Sequence, residues 1–357
     1  MLSDTPTNLD NVSERRRVRE AFKEIQHQID HCLMKTVLNL SGVSFGFTDP
    51  VRRAEDRGEG KKIVQSIEVN SRGLEIFSKS WLPGGNSATP KALVFYCHGY
   101  GETCTFVFEG VARKLALSGY GVFALDYPGF GLSQGLHGYI PSLDLLTSDV
   151  AEHFSKVRDK PEHRGLRSYL FGQSLGGAVA LKVHLKQPND WDGAILVAPM
   201  VKFAENMVPN WILLKILIGV AHLFPKLKIV PHQNFVKMAF RDPKKRDLAA
   251  YNVIAYKDTA RLWTALECLR TTQELERCLH KVALPLLILH GEADVVTDPS
   301  VSKALYEKAS CQDKKLRLYG DAYHSLLEGE TDEVISTVVG DIISWLDHRH
   351  AVEFSKP

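Results

Sequence analysis

The amino-acid sequence predicts an α/β fold in which a mostly parallel, doubly wound sheet carries one helical insertion. Short, nearly continuous apolar runs alternate with helical stretches, as expected of parallel strands that are covered by helices on both faces. These runs are ALVFYCHG, YGVFALD, SYLFGQ, AILVAP and PLLILHG. The chain has 357 residues, of which 44% are hydrophobic, and this is enough to build a substantial core.

The chain opens with a polar extension, residues 1–60, that precedes the predicted sheet. Apolar residues recur in it every three or four positions, a spacing typical of an amphipathic helix. These residues are Val18, Phe22, Ile25, Ile29 and Leu33. We expect the helix to pack against the main domain, with contact to a membrane surface or a partner as the alternative. The opening letters MLSDTPTNLDNVSE lack the basic and apolar run of a secretory signal, so no targeting segment is predicted.

The main domain is expected to comprise residues 61–199 and 283–357. At its start, the runs SIEVN and LEIFSKSW predict an antiparallel hairpin. Between the later apolar runs, the residue pattern predicts helices near 108–118, 143–157 and 177–185. A helix SVSKALYEKA, a strand LRLY and a closing helix complete the alternation.

Residues 200–282 interrupt this alternation and are rich in helix-compatible residues. An insertion after a strand's carboxyl end lies over the ligand crevice of an α/β sheet, so this segment predicts a helical cap, or lid. Its run WILLKILIGVAHLF is shorter than the roughly 20 residues that span a bilayer. The run predicts either the buried core of the cap or a surface that contacts an acyl chain or a membrane. The residues expected to face the substrate are Trp211, Ile212, Leu213 and Ile216.

The pattern G-x-S-x-G, typical of a nucleophilic serine, occurs twice, as GLSQG at 131–135 and as GQSLG at 172–176. A nucleophile elbow needs a strand, a tight turn and a helix in succession, so that the serine oxygen is exposed. GLSQG lies between loop-like sequences, whereas Ser174 follows the strand-like SYLF and precedes the helix start GGAVAL. Ser174 is therefore the predicted nucleophile.

A serine hydroxyl is a poor nucleophile unless an imidazole removes its proton, and the imidazole needs a carboxylate to orient it. In a nucleophile-elbow protein these groups follow the serine in the order acid, then histidine. The loop after the strand PLLILHG carries Asp294, and the loop after LRLY carries His324. We predict that Asp294 orients His324 and that His324 is the base for Ser174.

Other acidic residues and histidines lie near these positions in the sequence. Glu292 follows its strand immediately, and Asp298 precedes a proline and a helix start, where an N-cap role is favoured. His98 and His290 are expected to hydrogen-bond loop backbone and not to act as the base. Asp294 is preferred to both carboxylate rivals.

A tetrahedral intermediate also needs donors aimed at the oxygen that becomes negative. Backbone amides usually supply them, one from the residue after the nucleophile and one from a glycine-containing loop. The residue after the nucleophile is Leu175. The glycine-containing loop is HGYG at 98–101, after the strand ALVFYC, and its predicted donor is the amide of Tyr100.

Composition excludes several other classes of protein. The chain has 44 basic and 42 acidic side chains, so its net charge of +2 gives no field that would recruit nucleic acid. The six cysteines lack the C-x-x-C spacing of metal sites, and we expect reduced thiols in a cytosolic protein. No metal, nucleotide or organic cofactor is expected.

In this order, HGYGE, DYPGFGLSQG, GQSLGGAVAL, HGEADVVTDP and GDAYHSLLEGE resemble the plant monoacylglycerol lipase-like branch of the α/β-hydrolase superfamily, over residues 64–348. The resemblance implies the α/β-hydrolase fold, the triad of Ser174, Asp294 and His324, and a cap that admits a single acyl chain. Caffeoylshikimate esterases belong to the same branch, but are associated with GHGRS and GESMGG where this chain has GFGLS and GQSLGG.

The sequence therefore predicts a serine hydrolase that cleaves monoacylglycerol to free fatty acid and glycerol through an acyl-enzyme. Alternatives are a lysophospholipase, a phenolic esterase of the caffeoylshikimate type and an acyltransferase. A ligand receptor built on a hydrolase scaffold is an alternative of a different class. The expected partners are a small lipid ester and, through the cap, the surface of a membrane.

Overall fold

A computed structural model describes residues 8–23, 62–84, 89–202, 210–229 and 235–354. In this part of the chain, eight strands form one sheet in the order β1-β2-β4-β3-β5-β6-β7-β8. The first two neighbouring pairs in that order, β1–β2 and β2–β4, are antiparallel, and the other five pairs are parallel. The strands are β1 (Lys62–Val69), β2 (Glu75–Leu82), β3 (Leu93–Cys97), β4 (Gly121–Leu125), β5 (Ser168–Gln173), β6 (Gly193–Val197), β7 (Leu286–Gly291) and β8 (Lys314–Tyr319). The predicted hairpin and doubly wound sheet are confirmed.

Helices fill the connections between the parallel strands at the predicted places. They are α1 (Val12–Ala21), α2 (Val107–Leu117), α3 (Leu143–Arg158), α4 (Leu175–Lys186), α5 (Trp211–Leu223), α6 (Phe235–Ala239), α7 (Pro243–Ala249), α8 (Leu262–Cys278), α9 (Pro299–Lys308) and α10 (Asp332–Phe354). Single 3-10 turns follow at Pro161–His163 and Leu279–Lys281.

Strand β3 shows why the apolar runs are continuous. Leu93, Phe95 and Cys97 belong to a core that includes α3, α4, α8 and α9, on one face of the sheet. Val94 and Tyr96 belong to a second core with α2 and α10, on the other face. Side chains alternate along a strand, so a strand covered on both faces buries every residue.

The parallel strands bring the predicted site residues to one edge of the sheet. Strands β3, β5, β6, β7 and β8 run in the same direction, so their carboxyl ends share that edge. The loops that follow β3, β5, β7 and β8 carry 98–101, Ser174, Asp294 and His324 in turn. The architecture thus places the predicted oxyanion loop, nucleophile, acid and base at a common edge of the sheet.

The segment between β6 and β7, which we call the cap segment, is helical in its described parts. Helix α8 docks on the main domain, because Thr264 Oγ1 and Glu267 Oε2 accept from the amides of Ile140 and Leu143 at 2.9 and 3.0 Å. Helix α5 is different: Ala221 is its buried residue, and most of its large apolar side chains are exposed. The alternative that α5 forms the buried core of a cap is therefore wrong for most of this helix.

The predicted N-terminal helix is present as α1, and it packs against the main domain. The fully buried side chain of α1 is that of Arg15, a charged residue and not one of the predicted apolar stripe. Val18 and Phe22 of the predicted apolar stripe are only half-buried. The rest of that stripe lies outside the described residues: Ile25, Ile29 and Leu33.

Among the helices that the structure describes, none combines the length and the hydropathy needed to span a bilayer. The division of the chain at residues 60, 199 and 282 stays a prediction.

Candidate active site

Ser174 occupies a strained turn between β5 and α4. Its φ of 52° and ψ of −119° lie in a region that non-glycine residues rarely adopt, at a cost of about 1–3 kcal/mol. Backbone bonds hold the turn: the Ser174 amide donates to Val197 at 3.0 Å, and its carbonyl accepts from Met200 at 2.9 Å. This strand–turn–helix geometry is that of a nucleophile elbow, which exposes the serine oxygen.

The two glycines of this G-x-S-x-G motif are required by close approach of the backbone. A methyl group on Gly172 would lie 2.3 Å from the carbonyl oxygen of Gly176. A methyl group on Gly176 would lie 1.9 Å from the carbonyl oxygen of Cys97, at the end of β3. Both distances are far below van der Waals contact, so the motif allows α4 to start directly beside the loop that follows β3.

The second motif, GLSQG, is a structural loop, as predicted. Ser133 is fully buried, and its hydroxyl donates to the carbonyl of Asp126 at 2.6 Å and accepts from the amide of Phe77 at 2.8 Å. A serine with both hydrogen-bonding functions used inside the fold has no free hydroxyl to attack a substrate.

The loop that carries the predicted oxyanion donor is held by several hydrogen bonds. His98 Nε2 accepts from the Tyr127 amide at 3.1 Å, so the proton of the neutral ring is on Nδ1, which donates to Gly99 O at 2.8 Å. Burial lowers the pKa of His98 to about 4, which keeps the ring neutral. His98 therefore binds loop backbone, as predicted. The side chain of Glu102 accepts from the Gly99 amide at 3.0 Å.

Tyr100 and Leu175 lie on adjoining stretches of backbone. Tyr100 is anchored by its own hydroxyl, which donates to Gly138 O at 2.9 Å. Leu175 is the first residue of α4, where amide groups have no partner within the helix. A methyl group on Gly176 would meet the carbonyl oxygens of Cys97 and His98, so the start of α4 lies against the beginning of the loop that carries Tyr100. Their role as oxyanion donors stays a prediction.

His324 and Asp294 form a buried hydrogen-bonded pair, with Nδ1 of the ring 2.7 Å from Oδ2 of the carboxylate. The carboxylate is also held by the amides of Val296 and Thr297, which donate to Oδ1 at 2.7 and 3.0 Å. Burial alone would raise the pKa of Asp294, but the charge of His324 and hydrogen bonds from His290 and His324 lower it well below its usual range. Asp294 is thus an ionised carboxylate that fixes the ring orientation of His324.

The rival acids do not share this arrangement. Glu292 is exposed at the end of β7. Asp298 caps α9, where its side chain accepts from the Ser300 amide at 2.8 Å, as predicted. His290 was predicted to bind loop backbone, and it does contact Thr297 O at 3.0 Å. Its contact with Asp294 Oδ2, also at 3.0 Å, was not predicted.

A bond between two buried side chains links the loop of His324 to the turn of Ser174. Gln173 precedes Ser174, and its Nε2 donates to Glu328 Oε1 at 2.6 Å. The hydroxyl of Tyr96 donates in turn to Gln173 Oε1 at 3.2 Å. Sequence reasoning missed this link, although Glu328 lies within the quoted motif GDAYHSLLEGE.

Glu328 is a buried carboxyl group whose ionisation is influenced by the half-buried Glu102. Burial, followed by the charge of Glu102, raises the pKa of Glu328 to about 8. Burial also raises the pKa of Glu102, against the effect of its bond to Gly99 and the charge of His324. Burial and the charge of Glu102 both favour the protonated form of Glu328.

Within the described residues, no group of three or more histidine, cysteine or acidic side chains is arranged to hold a metal ion. What the geometry offers is a strained, partly exposed serine turn, an imidazole hydrogen-bonded to a carboxylate, and two candidate amide-bearing segments, all at one edge of the sheet. These are the parts that acyl transfer through a serine needs.

Comparison with known proteins agrees with this chemistry. A family model described as serine aminopeptidase, S33, matches residues 88–332. Caffeoylshikimate esterase from Arabidopsis thaliana is 34% identical over 279 residues, which cover 77% of this chain and 82% of that protein. Monoglyceride lipase from Rattus norvegicus is 30% identical over 285 residues, which cover 80% of this chain and 90% of the lipase.

Solved structures show the same fold. A soluble variant of monoglyceride lipase from Saccharomyces cerevisiae, in complex with a substrate analog, superposes with a TM-score of 0.71 at 23% identity, covering 80% of this chain and 94% of that one. A carboxyl esterase from Bacillus coagulans, in complex with glycerol, superposes with a TM-score of 0.64 at 17% identity. The match covers 80% of this chain and 98% of that one. The resemblance noted in the sequence motifs is confirmed, and the chain belongs to the serine aminopeptidase S33 family of α/β-hydrolase-fold serine hydrolases.

Proposed function

We propose that this protein hydrolyses carboxylic esters, with monoacylglycerol as its main substrate and free fatty acid and glycerol as products. The observation that carries the choice of substrate is the apolar surface of α5 in the cap segment. Trp211 and Leu223 expose 68% and 76% of their surface there, and Ile212, Leu213 and Ile216 are exposed as well. Such a surface on the cap segment of an ester hydrolase suits an acyl chain delivered from a lipid phase.

In the first half of the cycle, Ser174 Oγ attacks the ester carbonyl while His324 Nε2 takes the hydroxyl proton. The amides of Tyr100 and Leu175 hold the negative oxygen of the tetrahedral intermediate, and Asp294 stabilises the imidazolium. When the intermediate collapses, the carbon–oxygen bond to glycerol breaks and His324 returns the proton to the leaving alcohol. An acyl-enzyme on Ser174 remains.

In the second half, water takes the place of the alcohol. His324 removes one proton from water as its oxygen attacks the acyl carbonyl, and the same two amides hold the oxyanion. Collapse releases the fatty acid, and the proton on His324 returns to Ser174 Oγ. The cycle consumes one water and needs no cofactor.

We also propose that α5 contacts membranes peripherally. The support for this contact is the exposed apolar surface of α5. Two basic side chains of the cap segment instead form ion pairs within the protein. Lys228 forms an ion pair with Asp258, and Lys245 is buried beside Asp332. Insertion of α5 side chains therefore drives the proposed contact.

A second candidate is the cleavage of phenolic esters such as caffeoyl shikimate. It is supported by the 34% identity to the Arabidopsis thaliana esterase. Against it stand GFGLS and GQSLGG where GHGRS and GESMGG are expected of that enzyme.

The test is hydrolysis of a monoacylglycerol, lysophosphatidylcholine, caffeoyl shikimate and an aminoacyl anilide, side by side, by the wild type and Ser174→Ala. The proposal expects the highest kcat/KM for the monoacylglycerol, lost in the variant. A higher value for another substrate would overturn the proposed substrate while keeping the mechanism. Glycerol-dependent ester synthesis in place of release would indicate an acyltransferase. The absence of Ser174-dependent turnover on every substrate would favour a ligand receptor.

A further inference from the structure

A second histidine touches the carboxylate that orients His324. His290, at the end of β7, and Ser302, in α9, are both fully buried. His290 Nε2 lies 3.0 Å from Asp294 Oδ2, and His290 Nδ1 lies 2.7 Å from Ser302 Oγ. The mechanism above gives neither residue a role.

The neighbours of His290 determine where its proton is. Nε2 faces two acceptors, the carboxylate of Asp294 and the carbonyl oxygen of Thr297, each at 3.0 Å. Only an Nε2–H can satisfy them, so when the ring carries a single proton Nδ1 accepts a hydrogen bond from the hydroxyl of Ser302. Ser302 thereby holds His290 in the tautomer that donates to Asp294.

The donated bond constrains the same oxygen that binds His324. Asp294 Oδ2 accepts from His324 at 2.7 Å, from His290 at 3.0 Å and from the hydroxyl of Thr297 at 2.8 Å. Three donors converging on one oxygen leave it no freedom to rotate away from His324. The sharing of its negative charge also limits how strongly it stabilises the imidazolium.

We propose that His290 and Ser302 are positioning residues for the triad, holding Asp294 in place through an imidazole whose Nε2–H donates to the carboxylate. This inference rests on the proposed triad. It predicts that the pair affects the reactivity of Ser174 toward any acyl or phosphonyl reagent, whatever the physiological ester.

The experiment compares His290→Leu, His290→Gln and Ser302→Ala with the wild type. Two rates are measured: turnover of a p-nitrophenyl ester, and covalent labelling of Ser174 by a fluorophosphonate. Each kcat is divided by the concentration of labelled serine, so misfolded protein is not counted. His163→Leu is the matched control, because His163 is also buried and bonded, through Nδ1, to the carbonyl of Val157 at 2.7 Å.

We expect His290→Leu to lower kcat per labelled site about tenfold, with KM within about twofold, since a bond that acts only on the base leaves substrate binding unchanged. His290→Gln, whose amide can donate in place of Nε2–H, should recover most of the loss. Ser302→Ala should give an intermediate loss.

The pH profile separates positioning from packing. With one donor fewer, Asp294 stabilises the imidazolium of His324 more strongly, so the acid limb of kcat/KM should move to higher pH in His290→Leu. The charges of Asp294 and Glu102, which act on His324, and of Asp298, which acts on His290, are unchanged by these substitutions. The His163→Leu profile should match the wild type.

The proposal is overturned if His290→Leu keeps wild-type kcat per labelled site and an unmoved acid limb, or if His290→Gln recovers nothing while folding normally. Failure of the proposed function looks different. In that case the wild type itself shows no Ser174-dependent turnover, while the labelling rates still report whether His290 affects Ser174.

Discussion

The guanidinium of Arg15 in α1 lies with Nε 2.6 Å from the carbonyl oxygen of Gly131, which belongs to the second G-x-S-x-G loop. Its Nη2 donates to Ser133 O at 2.7 Å. Burial lowers the pKa of Arg15 to about 10, so the group remains a cation at neutral pH. Because the family match begins at residue 88, this contact joins the N-terminal extension to the family domain.

Arg15→Ala should lower the free energy of unfolding by about 2–4 kcal/mol, because several buried carbonyl oxygens lose their donor. Arg15→Lys should recover little, since an ammonium lacks the planar fork. Arg17→Ala is the control, as Arg17 is exposed and pairs only locally with Glu14; its effect should stay within about 0.5 kcal/mol. Urea denaturation followed by circular dichroism measures all three. Equal effects at both positions would contradict the account.

Asp294→Asn should leave the protein folded and lower kcat by about 10⁴-fold, since a neutral amide cannot stabilise the imidazolium and favours the wrong tautomer. Asp298→Asn is the matched control four residues away. Asparagine caps helices as well as aspartate does, so this variant should keep wild-type kcat. Steady-state hydrolysis of a soluble ester, with thermal unfolding as a check on folding, measures both. A comparable loss in the two variants would remove Asp294 from its assigned role.

Gly176→Ala should abolish activity and destabilise the fold, because the added methyl group would meet the Cys97 carbonyl oxygen at 1.9 Å. Gly340→Ala, in α10, is the opposite case: nothing lies within 4 Å of its added methyl group, and alanine favours a helix by about 0.5–1 kcal/mol. Thermal unfolding should therefore show a lower Tm in the first variant and a slightly higher Tm in the second. A functional, wild-type-stable Gly176→Ala protein would refute the close approach of α4 to β3.

Glu328 should make the protein less stable as pH rises. Its pKa is raised by burial, and then by Glu102, to about 8 in the folded protein, against 4.5 as the ordinary value. Between these two values the folded state holds a proton that the unfolded chain has lost. The contribution of the protonated Glu328 to the free energy of unfolding is therefore complete below about pH 4.5 and is lost as pH rises through 8. Glu328→Gln keeps an oxygen for Gln173 but cannot ionise. Denaturant unfolding from pH 5 to 9 should show a smaller decline for the variant than for the wild type; parallel curves would contradict the assignment.

Replacing Trp211 and Phe224 together by serine should reduce the fraction of protein that sediments with phosphatidylcholine vesicles, because both are exposed large apolar residues of the cap segment. Hydrolysis of a short, soluble ester should change little. Leu117→Ser is the control: Leu117 is 56% exposed but lies on α2, in the main domain. Unchanged sedimentation of the double variant would show that α5 does not mediate membrane contact.

The sequence was sufficient for those features that depend on short stretches of chain. The strand–turn–helix around Ser174, the cap of α9 at Asp298 and the acid–histidine order each follow from residues near one another. The bonds that it did not predict join distant positions: Arg15 to Gly131 across 116 residues, and Gln173 to Glu328 across 155. No local pattern encodes such pairings, because they depend on how loops from different strands meet at one edge of the sheet.

The contacts of His290 follow from the sequence only in part. It lies only four residues from Asp294, yet it was expected to bind backbone alone. Its side-chain contact depends on the tight turn after β7, which folds the carboxylate back over the strand end.

The central claim is that Ser174 is a nucleophile activated by His324. It is tested most directly by exposing the wild type, Ser174→Ala and His324→Gln to a fluorophosphonate and locating the adduct by peptide mass spectrometry. The account predicts one adduct on Ser174 in the wild type, none in Ser174→Ala, and labelling slowed by at least about a hundredfold in His324→Gln. An adduct on another residue, or labelling of Ser174 that does not depend on His324, would contradict it.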